Sequence, residues 1–137
     1  MGERHGPGRA RVGSAADQRT MAQHLEREVL RGFWKVHILH HASMRPVYGL
    51  WLLAELAEHG YRVSPGTLYP ILKRMEMTGW LRAHRNGSSK GRCNFEITAK
   101  GRRALDRVRG LVTELYREVA PAGGRRAGKR PRRSVLA

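Results

Sequence analysis

The sequence predicts a mainly α fold with one small β-hairpin: three helices, two short strands and a long final helix. Three observations carry that reading. Apolar residues recur at helical spacing through 25–42, 47–59, 65–78 and 99–119. Cys93, Phe95 and Ile97 alternate with Asn94, Glu96 and Thr98, the period of a half-buried strand. Gly60 and Gly79 stand where two of the helical patterns stop, Gly60 as the left-handed residue that closes its helix.

The first helix, 25–42, is apolar on most sides through Val29, Leu30, Phe33, Trp34, Val36, Ile38 and Leu39, while Arg31 and Lys35 mark its wet stripe. A helix this apolar in a small protein needs two surfaces to bury it, its own core and a partner subunit. Ser43 to Pro46 breaks it. A second helix runs from about Val47 to His59, with Tyr48, Leu52 and Leu56 on one face and Glu55 and Glu58 expected in water. In the third, Ser64 is a good N-cap and Pro65 fits the first helical position. Leu68, Ile71, Leu72 and Met75 make its buried face. Pro70 removes a backbone bond past the first turn, so either that turn is irregular or the true cap is Thr67.

The two strands, Trp80 to Arg85 and Cys93 to Thr98, flank a turn-rich loop from Asn86 to Gly91, as in a hairpin. Thr98 caps the last helix, Ala99 to Val119. Along it Leu105, Val108, Val112, Leu115 and Val119 step by 3, 4, 3 and 4, a heptad seam that reads as a dimer interface. The alternative is that this face packs only on the first helix of its own chain.

The chain has 137 residues, of which 40% are hydrophobic, enough for one domain with a small core. Lys and Arg number 27 against 11 Asp and Glu, a net charge of +16 that points to a polyanion. The charge is unevenly spread. Residues 1–20 carry four arginines against two acids, and residues 121–137 carry six bases and no acid. Between them, 21–61 and 104–120 are balanced, while 62–103 holds ten bases against Glu76 and Glu96. The basic centre is expected to meet the polyanion while the neutral apolar flanks do something else.

No apolar run reaches the roughly 18 residues of a membrane span, and Met1 to Thr20 lacks the apolar block of a secretory signal. A single cysteine, Cys93, excludes an intramolecular disulfide framework and a cysteine-rich zinc site; its alternation with buried positions makes it an inert thiol. The segment Gly123 to Lys129 imitates a phosphate-binding loop but has Arg130 where Ser or Thr must hold magnesium. No catalytic constellation is present, so no enzyme is expected, and no cofactor. A cytoplasmic, nucleoid-associated protein is the default.

Helix, helix, short turn, helix and hairpin, in that order, make a winged helix-turn-helix. In that architecture the third helix lies in the major groove and the hairpin loop reaches the neighbouring backbone. The resulting layout is a disordered tail at 1–20, a winged-helix DNA-binding domain at 21–98, a dimerisation helix at 99–119 and a disordered basic tail at 120–137. Met21 is an alternative start to Met1.

Tyr48-Gly-Leu-Trp-Leu-Leu-Ala-Glu-Leu56, Gly60-Tyr-Arg-Val-Ser-Pro-Gly-Thr-Leu-Tyr-Pro-Ile-Leu-Lys-Arg-Met-Glu76, Gly79-Trp-Leu81 and Ile97-Thr-Ala-Lys-Gly-Arg-Arg-Ala-Leu105 resemble the PadR family of bacterial transcriptional regulators. The resemblance covers about 25–119 and is most specific from Ser64 to Glu76. It implies homodimeric winged-helix proteins that pair through their first and last helices, many of them repressors, several released from DNA by a small aromatic effector. One departure is Arg92-Cys93-Asn94-Phe95-Glu96, where the family often has two aromatic residues and a base; Asn94 and Glu96 put wing contacts in question, not the fold.

The expected DNA-binding residues are Ser64, Thr67, Tyr69, Lys73 and Arg74 on the third helix and Lys90 and Arg92 on the wing. Tyr69 and Thr67 offer hydroxyls to phosphate or base edges, and the Thr methyl suits a thymine methyl. The four cations are phosphate anchors. Packing under the wing is the alternative for Tyr69. Trp34 and Trp51 are expected for a flat aromatic effector, with ordinary packing as the alternative. His37, His40 and His41 have the spacing to hold a metal on one helix face. No nearby acid completes the set, so packing is their expected role and no metal is expected. The functional alternative is a basic RNA-binding or nucleoid-coating protein without sequence choice.

Overall fold

A computed structural model describes residues 13–85 and 93–122. The expected wing contacts Lys90 and Arg92, the hairpin loop at 86–92 and the ends of both basic tails lie outside the described residues. The first helix, α1, runs from Ala15 to Met44, ten residues earlier than its apolar pattern begins. Ser14 and Asp17 explain the difference. Ser14 Oγ accepts from the Asp17 amide at 3.3 Å and Asp17 Oδ2 accepts from the Ser14 amide at 3.0 Å, a reciprocal capping box. The expectation of a disordered tail through residue 20 is therefore corrected: Ala15 to Thr20 are helical. The other end follows Pro46, which holds Arg45 in extended backbone (φ −165°, ψ 160°).

The residues after the break form β1 (Val47–Tyr48) rather than a first helical turn, and α2 spans Gly49–Glu58. The reason is tertiary. β1 pairs with the free edge of β3 (Cys93–Ile97), Val47 opposite Phe95 and Tyr48 opposite Asn94. β2 (Leu81–Arg85) pairs with the other edge, from Leu81 opposite Ile97 to Arg85 opposite Cys93. The sheet is thus three-stranded and antiparallel in the order β1-β3-β2.

The helix α3 spans Pro65–Met77, with Ser64 at its N-cap position and Pro70 inside it. Ser64 makes no side-chain cap bond; its carbonyl accepts from both Thr67 and Leu68 at 3.0 Å, so the first turn closes without Thr67 acting as cap. The carbonyl that Pro70 deprives of a partner is that of Gly66, which is exposed to water. Both helices of this pair end the same way. Gly60 (φ +86°) and Gly79 (φ +84°) take the left-handed conformation, and Tyr61 and Trp80 donate back to Leu56 and Met75 at 2.9 and 3.0 Å.

Thr98 caps α4 (Ala99–Val119) by accepting from the Gly101 amide at 3.0 Å, and its hydroxyl donates to the Gly79 carbonyl at 2.5 Å. Lys100 donates to the Thr78 carbonyl at 2.8 Å. One junction therefore ties the end of α3, the start of β2 and the start of α4. The core lies where α1, α2, α3 and the sheet meet, with Ile38, Leu52, Leu56, Leu68, Leu72 and Leu81 fully buried. Leu105, expected on the dimer seam, is corrected to this core: it is 2% exposed within its own chain.

Candidate nucleic-acid interface and neighbouring cavities

The placement of α3 follows from its apolar period. Leu68, Ile71, Leu72 and Met75 pin one face to the core, which turns Gly66, Pro70 and Met77 outward. Tyr69 and Lys73 lie on one flank of that crest, Thr67 and Arg74 on the other. Tyr69 is 47% exposed, and its ring lies against Gly49 at the start of α2. A Cβ built on Gly49 would stand 2.6 Å from the Tyr69 hydroxyl and 2.7 Å from two ring carbons. The ring is therefore half packed and half presented, held by a glycine one helix away.

Thr67 is half-buried and Arg74 exposed, and both line a cavity of about 240 Å³ between α3 and α1, with Arg31, Lys35 and Gly66 among its other walls. Arg31 and Lys35, read from the sequence as a wet stripe, thus join Arg74 around one polar recess. Ser64 Oγ and Thr67 Oγ1 are 3.2 Å apart at the mouth of α3. Lys73 is exposed and 3.5 Å from Glu76, a contact of the kind that costs little to break in water. Glu96 is held by His84 across the hairpin at 2.9 Å, so its carboxylate is already paired within the sheet.

On α4, Val108 is half-buried, while Val112, Leu115 and Val119 are 42, 56 and 65% exposed, together with Leu111 and Tyr116. Helix α1 presents Met21, Leu25, Val29 and Phe33 at four-residue steps, all exposed. The described surface thus carries two unpartnered apolar stripes on the helices that flank the basic centre.

Between them, Phe33, Val36, His37, His40, Tyr61 and Val112 line a mainly apolar cavity of about 330 Å³. Neither tryptophan is among its walls. Trp51 instead lies under the Arg45 guanidinium, 4.7 Å from the ring centre, with His41 against its edge. Trp34 is half-buried, and its indole nitrogen has no hydrogen-bond partner among the described residues. The two tryptophans face different surroundings.

The histidines are also rearranged. His40 Nδ1 is 3.3 Å from the Arg109 guanidinium and belongs to the α1–α4 contact. His37 and His41 instead converge with His59 from the end of α2, their ligand atoms all within 4.8 Å of one another. An acid does stand beside them. Glu55, expected in water, has its side chain only 13% exposed, with Oε1 3.5 Å from His41 Nε2 and 3.6 Å from His59 Nε2. Burial, reinforced by the neighbouring His59, His41 and His40, holds the His37 ring below its ordinary range against the pull of Glu55. Burial does the same for His41, where Glu55 opposes it and His40, His59 and Arg45 add to it. His59 and Glu55 were legible in the sequence as a second pair four residues apart, Glu55 to His59, matching His37 to His41. What the sequence lacked was the contact between their helices.

Residues 38–107 match the family described as transcriptional regulator PadR-like. The chain is 46% identical over 103 residues to the transcriptional regulator Rv3488 of Mycobacterium tuberculosis, covering 74% of this chain and 96% of that protein. Among solved structures it is similar to a PadR family transcriptional regulator from Eggerthella lenta, 31% identical with a TM-score of 0.64, covering 77% of this chain and 94% of that one. A PadR-like transcriptional regulator from Bacillus cereus is 30% identical with a TM-score of 0.59, covering 69% and 98%.

Proposed function

The chain belongs to the PadR-like family of transcriptional regulators, and from that premise we propose that it reads a specific DNA operator as a homodimer and acts as a repressor. The observation that carries the reading is the posture of α3. Its apolar face is locked in the core, and its outward crest and flanks carry Tyr69, Lys73 and Arg74 with Arg31 and Lys35 beside them. Gly66 and Pro70 keep the crest low, so the helix backbone has room to approach base edges. Tyr69 and Lys73 serve one side of the groove. Thr67, Arg74, Arg31 and Lys35 form a recess suited to a backbone phosphate on the other side. Ser64 at the helix start, and Lys90 and Arg92 of the wing, complete the contact set.

Dimerisation is proposed through the exposed stripes of α1 and α4, with Val112, Leu115 and Val119 on the seam and Val108 at its inner edge. Leaving this much apolar surface in water is unfavourable, and a two-fold partner removes it. A two-fold dimer sets the α3 helices about 34–36 Å apart, on half-sites one helical turn apart. A flat aromatic effector, the class that would release the repressor, has space in the apolar cavity between the two stripes, and a second cavity of about 270 Å³ is lined by Trp51 with Arg45, Pro46 and Tyr48.

The test is a specificity ratio. Genome-wide footprinting identifies the bound sites, and fluorescence anisotropy then compares that duplex with random duplex and RNA of equal length. A specific regulator binds its site on the order of a thousandfold tighter or more. Equal affinity for all three would replace this reading with that of a charge-driven nucleic-acid coat.

A further inference from the structure

We propose that His37, His41, Glu55 and His59 form a binding site for one divalent late first-row transition-metal ion, of which zinc is the type, bridging α1 and α2. The four residues come as two matched pairs, each one helical turn long, on helices that pack together. A tetrahedral ion with bonds of about 2.0–2.1 Å sets its ligand atoms roughly 3.3–3.4 Å apart. Two edges of that figure already exist, Glu55 Oε1 to His41 Nε2 at 3.5 Å and to His59 Nε2 at 3.6 Å. The ligand atoms of His37, His41 and His59 all lie within 4.8 Å of one another.

The surroundings favour a ligand over a solvated cluster. His41 and Glu55 have side chains 12 and 13% exposed. The buried His41 Nε2 makes no hydrogen bond among the described residues, and the polar atom facing it is Glu55 Oε1 at 3.5 Å. His59 is 46% exposed and gives an ion its way in from solvent. Three imidazoles and one carboxylate suit zinc, cobalt, nickel or copper; calcium and magnesium require oxygen donors throughout, and copper(I) prefers sulfur. Three imidazoles converge, and Glu55, beside two of them, is the carboxylate that would close the fourth position and make the site structural or sensing rather than catalytic. His40 is not one of the converging rings; its Nδ1 is 3.3 Å from the Arg109 guanidinium on α4.

The site rests on this geometry and not on the DNA reading, so either can fail while the other stands. The test uses the untagged full-length chain, stripped of metal with a chelator and titrated with Co²⁺ and with Zn²⁺. The expected result is one ion per chain, the visible absorption of tetrahedral cobalt, and quenching of tryptophan fluorescence by Co²⁺, because Trp51 is in edge contact with His41. His59→Ala, at an exposed position, and Glu55→Gln, which keeps the side-chain volume, should each weaken binding by about tenfold or more. His40→Ala and His24→Ala should leave it unchanged; His24 tests the exposed His24–Glu28 pair on α1. Absence of stoichiometric binding overturns the proposal. So does binding that survives His59→Ala in the folded protein, or that is lost in His24→Ala.

Discussion

Replacing Gly49 by alanine tests how Tyr69 is held and what it does. Gly49 does not have the positive φ of Gly60 and Gly79, so its backbone accepts a side chain. In a helix that exchange favours folding by about 0.4–1 kcal/mol. The new Cβ would stand 2.6 Å from the Tyr69 hydroxyl and 2.7 Å from two ring carbons. To restore an ordinary contact of about 3.5 Å the ring must withdraw by roughly 0.8 Å. It has room to do so, being 47% exposed, so the melting temperature should stay within a few degrees. A hydroxyl moved that far loses a hydrogen bond to DNA, about 0.5–1.5 kcal/mol per subunit. For a two-fold dimer the total is about 1–3 kcal/mol, roughly a 5- to 150-fold loss of operator affinity. Anisotropy with labelled operator duplex measures the loss, and circular dichroism monitors unfolding. Tyr69→Phe alone should weaken binding by about 1 kcal/mol per subunit. Combined with Gly49→Ala it should add nothing, because the hydroxyl is already displaced. An unchanged operator affinity in the folded Gly49→Ala protein, or strict additivity of the two changes, would refute the assignment of Tyr69. A loss of about 1–3 kcal/mol in stability would show instead that the ring is packed too firmly to move.

Gly101→Ala should be far more damaging, since a Cβ there meets the Trp80 carbonyl oxygen and lies 2.8 Å from Ile97 Cγ1; backbone cannot step aside, and a loss of about 3 kcal/mol in urea unfolding is expected. Val112→Glu should convert a sedimenting species of twice 15.5 kDa into one of 15.5 kDa, because a carboxylate would be buried on the seam. A wild-type protein that already sediments as a monomer at micromolar concentration would remove the dimer. In the metal-free protein, stability should be full above about pH 6.5 and fall as the pH is lowered below it. Unfolded His37 and His41 take up protons at their ordinary 6.5, whereas the folded rings do so only at lower pH. His41→Gln should flatten that slope in urea titrations, and an unaltered slope would exclude His41 as its source.

The sequence alone was enough for features decided within a few residues. Gly60 and Gly79 close helices because only the left-handed conformation returns the chain there. Thr98 begins α4 because its own hydroxyl meets the amide three residues on. The buried face of α3 follows from the spacing of Leu68, Ile71, Leu72 and Met75. The exposed candidates Tyr69, Lys73 and Arg74 follow as its complement. The early start of α1 was equally local, written in Ser14 and Asp17, but it lies outside the apolar period that defined the helix. Only the tertiary structure decided the rest. Val47 and Tyr48 are a strand because β3 offers an edge, not because of their neighbours. Leu105 and Val112 share one helical seam, yet the core of its own chain buries the first and leaves the second exposed. Arg31 and Lys35 become partners of Arg74, and Glu55 and His59 become partners of His37 and His41, through contacts between helices. Periodicity tells which side of a helix is apolar; only the packing of one helix on another determines which polar residues are brought within a few ångströms and which are shielded from water.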